Sequence, residues 1–271
     1  MTDRTAWLRR GLRAAAAVAV LALAGGCATL PPNVGQDPRD PWEAVNRNVF
    51  VFNEAFDADI MKPLAEHYAL LPSFVKDCLS NMFANLRGPS NAVNNALQGK
   101  PAEAASDVGR FVVNTTVGLV GCFDVATGMG LEKSDEDFGQ TLGVWGVEPG
   151  PYLVVPFLGP SNVRDAVGIL GVEPFLDLNF YIDNATIEYS VLALRFVNLR
   201  AQLLSTEHLI DDAALDRYTF IRDGFLQRRR YLIYDGNPPR EIDPEDEDDD
   251  DGPPPPAATP TAAAPAAEPG R

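Results

Sequence analysis

Apolar residues recur every three or four positions along most of the chain between residues 38 and 236. This spacing places them on one face of an α-helix. The first stripe consists of Trp42, Val45, Val49, Phe52 and Phe56. It follows Asp40, which suits an N-cap, Pro41 at the first helical position and a glutamate that can reach back to the cap. The pattern predicts a helix that begins near residue 41.

The next stretch predicts three more helices. Ser73 opens an apolar-faced helix that we expect to end at Gly88-Pro89, because proline lacks an N–H and clashes with the preceding turn. A short helix over residues 92–98 stops at Gly99, which suits a C-terminal cap. Pro101 then starts the following helix.

Towards the C-terminus the helical spacing returns. One helix is predicted over about 185–204. A last helix, capped by Asp211 or Asp212, runs through Phe225 and ends in three consecutive arginines, Arg228, Arg229 and Arg230.

Between about residues 117 and 160 glycine and proline interrupt short apolar pieces. Helices do not run through such closely spaced breakers, so this region is expected to form irregular apolar loops, with one short hairpin at most. The predicted fold class is mainly α, with Gly/Pro-rich apolar loops.

The N-terminus has the pattern of a bacterial export signal. Arginines precede an apolar run, residues 14–23, that is shorter than the roughly 20 residues of a spanning helix. The run closes on Ala24-Gly25-Gly26-Cys27, which resembles the lipobox of bacterial lipoproteins, although leucine usually stands where Ala24 does. We therefore predict a signal peptide over 1–26, a lipid anchor on Cys27 and a linker over 27–37. The alternative is an ordinary cleaved signal in which Cys27 is incidental.

Charge and composition separate the tail from the body. The formal net charge is −16, and the last residues are first acidic and then rich in proline and alanine. Such a segment buries little apolar surface, so residues 237–271 are expected to be disordered. The body, 38–236, is long enough for one domain and is itself acidic, which argues against a nucleic-acid partner.

Two cysteines remain beyond the signal, Cys78 and Cys122. In an oxidising compartment they form either a disulfide or two buried thiols, and the sequence alone leaves both open. No cysteine or histidine cluster has metal-ligand spacing, so no metal site, redox site or cofactor is expected.

An enzyme, for instance a lipid hydrolase, is disfavoured by the residues available for catalysis. The only histidines are His67 and His208, and neither a GxSxG nor an HExxH motif occurs. We expect no catalytic residues and no enzymatic activity.

The order of these segments resembles that of the MlaA (VacJ) family of outer-membrane lipoproteins over roughly residues 38–235. The matching stretches are Asp40-Pro41-Trp42-Glu43-Ala44-Val45-Asn46-Arg47, Lys62-Pro63, Leu79-Ser80-Asn81, Asn85-Leu86-Arg87-Gly88-Pro89, Asn94-Asn95-Ala96-Leu97-Gln98-Gly99, Arg110-Phe111, Asn114-Thr115-Thr116-Val117-Gly118, Phe138-Gly139-Gln140-Thr141-Leu142-Gly143, Gly150-Pro151-Tyr152, Pro156-Phe157-Leu158-Gly159-Pro160 and Arg164-Asp165. Their number and order make the match more specific than any single motif.

The resemblance implies a ring-shaped helical body that lies in the periplasmic leaflet of the outer membrane. In that family an amphipathic channel extracts phospholipid misplaced in the outer leaflet and passes it to a periplasmic carrier of the MlaC type, while the protein associates with a trimeric porin. No cofactor is used. The alternative is a tethered structural or assembly lipoprotein with a soluble helical body.

Several residues are candidates for these roles. The hypothesised channel-lining or hinge residues are Gly118, Gly121, Phe123, Gly128 and Gly130, because glycine permits hinge-like dihedral change. The alternative is that these glycines form a static tight turn. The arginines at 228–230 are candidates for contact with anionic head groups, or they complement the helix terminus. Asparagines on the predicted helices are candidates for a polar lining, and the acidic run 135–137 for contact with a basic carrier or a cation.

Overall fold

The computed structural model describes residues 34–207 and 215–239. The predictions for the signal peptide, for Cys27 and for most of the tail therefore lie outside the described residues. The described residues separate into a body, 34–207 and 215–237, and a second unit, of which only 238 and 239 are described.

The body is mainly helical, as the sequence predicts. Its α-helices are α1 Glu43–Phe56, α2 Lys62–Ala69, α3 Ser73–Leu97, α4 Pro101–Thr116, α5 Val125–Gly128, α6 Phe138–Val144, α7 Val163–Val167, α8 Glu173–Leu176, α9 Ala185–Leu203 and α10 Arg217–Ile233. Two π-helical turns, Asp57–Met61 and Gly168–Val172, and a 3₁₀ turn, Leu178–Tyr181, connect some of them. Within the described part, no helix is both long and apolar enough to cross a bilayer.

Helix α1 begins close to the predicted position, but its start is built differently. Trp42 occupies the N-cap position without a side-chain cap. Asp40, the predicted cap, is instead fully buried and accepts hydrogen bonds from Asn46 and Tyr218. The prediction of Asp40 as the cap is therefore wrong, because its carboxylate is used between elements.

The prediction that α3 ends at Gly88-Pro89 is wrong. One helix runs from Ser73 to Leu97 with Pro89 inside it, and it includes the segment expected to form a separate short helix. An internal proline costs about 3 kcal/mol. The next turn is held from outside by Glu173, which accepts hydrogen bonds from Ser90 at 2.7 Å and Asn94 at 3.1 Å. Such contacts are absent from any local sequence pattern.

The central region is more ordered than predicted. Two short helices, α5 and α6, lie in it, each capped by an aspartate side chain. The one hairpin allowed by the sequence is present: β1 Tyr152–Val155 pairs antiparallel with β2 Gly159–Asn162. Val155 pairs with Gly159, and Phe157 in the turn has a φ of 65°.

The last helix begins later than predicted. Its N-cap is Asp216, whose side chain accepts a hydrogen bond from the Tyr218 N–H. Asp211 and Asp212, the predicted caps, lie outside the described residues. The prediction of the cap is wrong, because the nearest aspartate to the helix takes that role.

The interior of the body is mostly polar. Among the described residues, twenty-two polar or charged residues are buried against nine apolar ones, which reverses the usual preference. A small apolar cluster of Val49, Tyr152, Val154 and Tyr218 packs where α1, the hairpin and α10 meet. Thirty-eight large apolar side chains are exposed instead, so the body presents much of its apolar surface to its surroundings.

Candidate functional site

Two asparagines of α1 fix the hairpin to that helix. The Asn46 amide donates to the Tyr152 carbonyl at 3.0 Å and accepts from the Val154 N–H at 2.9 Å. Two turns later, Asn53 donates to the Val155 carbonyl and accepts from the Phe157 N–H. Each side-chain amide thus pairs with backbone groups of the hairpin as a neighbouring strand would. The amides of Asn46 and Asn53 are therefore not available to line an open passage.

Other asparagines also join segments of the interior. Asn81 donates to the Cys122 carbonyl, and Asn85 donates to Thr115. Asn114 accepts from the Ala126 N–H and donates to Asp124. The predicted polar side chains are therefore largely structural, although Asn81, Asn85 and Asn114 also border a small cavity between α3 and α4.

An open groove of the described body lies beside the first turns of α10. It has a volume of about 520 Å³ and is lined by Leu215, Asp216, Thr219, Phe220, Asp223, Gly224 and Gln227. These positions follow one another at helical spacing, so they form one face that mixes carboxylate, hydroxyl and amide groups with apolar side chains. Such a face can contact both the polar and the apolar parts of an amphipathic molecule.

Arginines from the N-terminal part of the body reach both carboxylates of this face. Arg47 pairs with Asp216 at 2.5 Å and lies 4.3 Å from the centre of the Tyr218 ring. Arg39 pairs with Asp223 at 3.0 Å. The hydrogen bond from Arg47 lowers the pKa of Asp216 to about 2, although burial opposes the shift. This part of the wall therefore stays charged over the pH range of most compartments.

The α10 face was not predicted from the sequence. The sequence pattern that marks this face is the recurrence of Asp216, Thr219, Asp223 and Gln227 at spacings of three and four. It lies within a helix that was predicted from its apolar residues. A polar stripe of that kind normally indicates a solvated face.

The residues hypothesised to line a channel lie elsewhere. None of Gly118, Gly121, Phe123, Gly128 and Gly130 borders the opening beside α10. A Cβ added to Gly118 would lie 2.2 Å from the Phe123 carbonyl oxygen, whereas Gly128 and Gly130 have open space. Phe123 is exposed and contacts Phe74. Within this segment, only the last two glycines have room for a larger side chain.

A disulfide holds the start of this segment against α3. Cys78 and Cys122 are bonded, with their Cα atoms 4.2 Å apart. Of the two alternatives that the sequence left open, the structure therefore has the disulfide and not two buried thiols. Just before it, Leu119 and Val120 have φ values of 52° and 60°. Left-handed backbone is costly for leucine and above all for a β-branched residue. The disulfide therefore adjoins a strained and exposed apolar turn.

Replacing Gly121 by alanine is expected to destabilise the body by about 1–3 kcal/mol or more. Gly121 has a φ of +87°, and an added Cβ would lie 2.7 Å from the Cβ of Asn85. Gly130→Ala carries a similar φ without the collision, and Gly128→Ala carries neither. The free energy of unfolding, measured with urea in detergent micelles, should fall most in Gly121→Ala, less in Gly130→Ala and least in Gly128→Ala. Equal stability of the three would contradict the tight packing at Gly121.

The arginine run at the end of α10 does not act as a unit. Arg229 is buried and pairs with Asp137 at 2.5 Å and with Asp165 at 2.8 Å. The hypothesis that it contacts head groups is therefore wrong, because its guanidinium is occupied inside the body. Arg230 is partly buried, and Arg228 is exposed and remains a candidate for that contact.

Two of the three residues in the acidic run 135–137, Glu136 and Asp137, make contacts inside the body. Asp135 pairs with Arg87, and Asp137 caps α6 and pairs with Arg229. Glu136 is buried and accepts from Gln98 at 2.8 Å. Burial raises the pKa of Glu136, and the Gln98 and Lys100 contacts offset only part of the shift. With two of the three carboxylates engaged internally, the run is unsuited to docking a carrier.

Within residues 34–207 and 215–239, no group of three or more metal-ligating side chains is placed to hold a metal ion. His67 lies in α2 with its Nδ1 2.7 Å from the Pro63 carbonyl oxygen, four residues earlier. That contact stays within one helix.

Comparisons of the sequence with a family model and with known proteins indicate the same family. The model of the MlaA lipoprotein family matches residues 38–232. The intermembrane phospholipid transport system lipoprotein MlaA of Escherichia coli is 32% identical, over 82% of this chain and 87% of that protein. An uncharacterized protein of Rickettsia bellii is 37% identical, over 72% of this chain and 76% of its own length.

A solved structure agrees with the sequence comparisons. It is described as "Structural basis for maintenance of bacterial outer membrane lipid asymmetry" and superposes with a TM-score of 0.64 at 30% identity. The alignment covers 72% of this chain and 98% of the solved one. The shared part is therefore nearly the whole of the solved chain and most of the body described above.

Proposed function

Because this chain belongs to the MlaA lipoprotein family, we propose that it is an outer-membrane lipoprotein of phospholipid transport that maintains outer-membrane lipid asymmetry. It extracts phospholipid misplaced in the outer leaflet through an amphipathic passage and delivers it to a periplasmic carrier of the MlaC type. Cys27 carries the lipid anchor, the body lies in the periplasmic leaflet, and a trimeric porin is its partner there. No reaction is catalysed.

The reversed polarity of the body is the observation that carries this proposal. Buried residues are mainly polar, and exposed residues include many large apolar ones, such as Leu70, Phe74 and Leu119. In water such a surface would aggregate or bind another apolar surface. In a leaflet the acyl chains cover it, while the polar groups inside satisfy one another away from lipid.

The opening beside α10 supplies the route. A phospholipid has a charged head group and two apolar chains, and the α10 face offers charged pairs at Asp216 and Asp223 next to Phe220 and Leu215. The head group can follow the charged groups while the chains stay against apolar surface. Transport of this kind needs no nucleophile, since the affinity of the acceptor for the lipid supplies the driving force.

The alternative is a tethered structural or assembly lipoprotein whose body is soluble. The exposed apolar side chains disfavour it, because a soluble body would bury them. The discriminating experiment removes the anchor with Cys27→Ala behind a cleavable signal peptide and washes the membranes with carbonate. Retention in the membrane supports a leaflet-embedded body, whereas release supports the tethered version.

The passage itself is tested by narrowing the opening. An added Cβ on Gly224 meets no other atom, so Gly224→Phe can project into the opening without a steric collision at its own position. In cells that lack the protein, this variant is expected to leave phospholipid in the outer leaflet at the level of the empty strain, measured by acyl transfer onto lipid A. Wild type should restore the normal level.

A matched control separates narrowing of the opening from a general effect of the added ring. Gly171→Phe also adds a ring at a glycine with open space, but away from the opening. It should complement fully. Full complementation by Gly224→Phe, at equal protein level, would contradict passage beside α10.

A further inference from the structure

A second, smaller polar cavity lies between α3 and α4, away from the α10 opening. Its volume is about 40 Å³, and Asn91, Asp107, Arg110, Asp124 and Lys133 are among the residues on its wall. One water molecule needs roughly 10–15 Å³ of such cavity volume. The cavity therefore has room for a small polar group of a few non-hydrogen atoms.

Three of the charged residues around this cavity already have partners within the body. Arg110 donates two hydrogen bonds to Asp124, at 2.9 and 2.8 Å, and a third to the Leu131 carbonyl. Asp107 accepts from Asn95 at 2.8 Å and from Ser134 at 2.6 Å. These contacts engage the guanidinium of Arg110 and one carboxylate oxygen of Asp107, Oδ2.

Lys133 is the cation that remains. It is exposed, lies on the cavity wall, and has no hydrogen bond or ion pair with any described residue. An ammonium group so placed at the rim can hold an anion without giving up another partner.

Asn91 provides the complementary group on the wall. Its amide nitrogen donates to the Ser134 carbonyl at 2.9 Å, and this contact fixes which end of the amide carries the oxygen. The buried oxygen, Oδ1, has no partner. An unsatisfied buried acceptor is costly, so a ligand that donates a hydrogen bond there is favoured.

The outer faces of the same two helices are apolar. Val93 and Leu97 of α3 and Val108 and Val112 of α4 are all exposed. A molecule with a polar end in the cavity can therefore lay an apolar part along the helices that enclose it. This combination fits an amphiphile better than a small soluble ion.

We propose that this cavity binds the phosphoethanolamine head group of a zwitterionic phospholipid. The ammonium group enters the cavity and donates to Asn91 Oδ1, the phosphate stays at the rim with Lys133, and the acyl chains run along α3 and α4. The assignment rests on the proposed function in taking the ligand to be a phospholipid, but it places the lipid at a site separate from the α10 opening. An anionic lipid with a glycerol head group lacks the cation and binds more weakly.

The test measures lipid binding to the full mature chain in detergent micelles by native mass spectrometry, with short-chain phosphatidylethanolamine and phosphatidylglycerol. Asn91→Leu and Lys133→Gln are each expected to weaken phosphatidylethanolamine binding about tenfold, the effect of one hydrogen bond to a charged group. Because Lys133 is exposed, its variant keeps the test valid even if Asn91→Leu disturbs folding.

Two control variants match these substitutions. Asn179 also has a buried amide oxygen without a partner, but it does not border the cavity, so Asn179→Leu should leave binding unchanged. Glu103→Gln removes one exposed charge at the start of α4, away from the cavity, and should also have no effect.

Three results would overturn the assignment. They are equal binding of the two lipids, unchanged phosphatidylethanolamine binding in both cavity variants, and free phosphoethanolamine binding as tightly as the lipid, which would indicate a soluble ligand. Failure of the proposed function has a different signature. In that case cells that lack the protein would show no rise of phospholipid in the outer leaflet, while lipid binding in vitro would still depend on Asn91 and Lys133.

Discussion

Replacing Arg229 by methionine is expected to lower the free energy of unfolding by about 3–5 kcal/mol, the usual cost of removing one partner from a buried ion pair. The Arg229 guanidinium joins Asp137 and Asp165, and both the arginine and Asp165 are almost completely buried. Asp165 would keep Arg164 and Asn162 as partners. Asp137 would lose its ion pair, and α10 would lose its tie to α6.

The measurement is urea unfolding in detergent micelles, with Arg228→Met as the matched control. Arg228 is the exposed neighbour on the same helix, and its removal should change stability by less than about 0.5 kcal/mol. In the double variant Arg229→Met with Asp137→Asn, part of the loss should be recovered because no carboxylate is left unpaired. Equal effects at 228 and 229 would contradict the buried pair.

The same pair predicts a pH dependence. Burial raises the pKa of Asp137, but the hydrogen bonds and charge of Arg229 outweigh it, so the pKa is lowered from its ordinary 3.8. A carboxylate whose pKa is lowered by folding stabilises the folded state at pH values above its pKa in the unfolded chain. This stabilisation is lost as the pH falls through its pKa in the folded state. Wild type should therefore lose stability below about pH 4, and Arg229→Met should lose less.

Removing the disulfide is expected to cost about 4 kcal/mol, from the loop-closure entropy of two cysteines 44 residues apart. The reduced chain would also release the turn at Leu119 and Val120, whose left-handed backbone adjoins the bond. We expect a lower urea midpoint for the reduced protein and faster hydrogen exchange over residues 117–123.

The control is the double variant Cys78→Ala with Cys122→Ala. Its urea midpoint should match that of the reduced wild type and should not respond to reductant. If the oxidised and reduced wild-type proteins unfold at the same urea concentration, the bond does not stabilise the body.

Apolar periodicity was sufficient to identify the longer helices, because it depends only on which residues share a face. It did not reveal what that face meets. In α4, Val108 and Val112 stand four residues apart, as apolar residues on one helix face do, but they are exposed, while Asp107, Arg110 and Asn114 are buried. The periodicity is the same whether the apolar face meets a protein core or lipid, so the reversed polarity could be found only in the structure.

Helix boundaries failed where distant residues decide them. Pro89 should have ended α3, but Glu173, more than eighty residues away, holds the following turn. The opening beside α10 was not predicted for a related reason. Its carboxylates are held by Arg39 and Arg47 from the N-terminal part of the body. No local pattern connects those two regions. The hinge at 118–130, suggested by the glycines, stays a prediction.

The polar interior also has a calorimetric consequence. An ordinary domain shows a heat-capacity increase of about 12–15 cal/mol/K per residue on unfolding, because water hydrates apolar side chains that leave the core. Here few apolar side chains leave a core, since most of the large ones already lie outside it. When the unfolded chain keeps those side chains in the same lipid or detergent, the heat-capacity change is small. The free energy of unfolding then varies almost linearly with temperature. It lacks the curvature that leads to cold denaturation in ordinary domains.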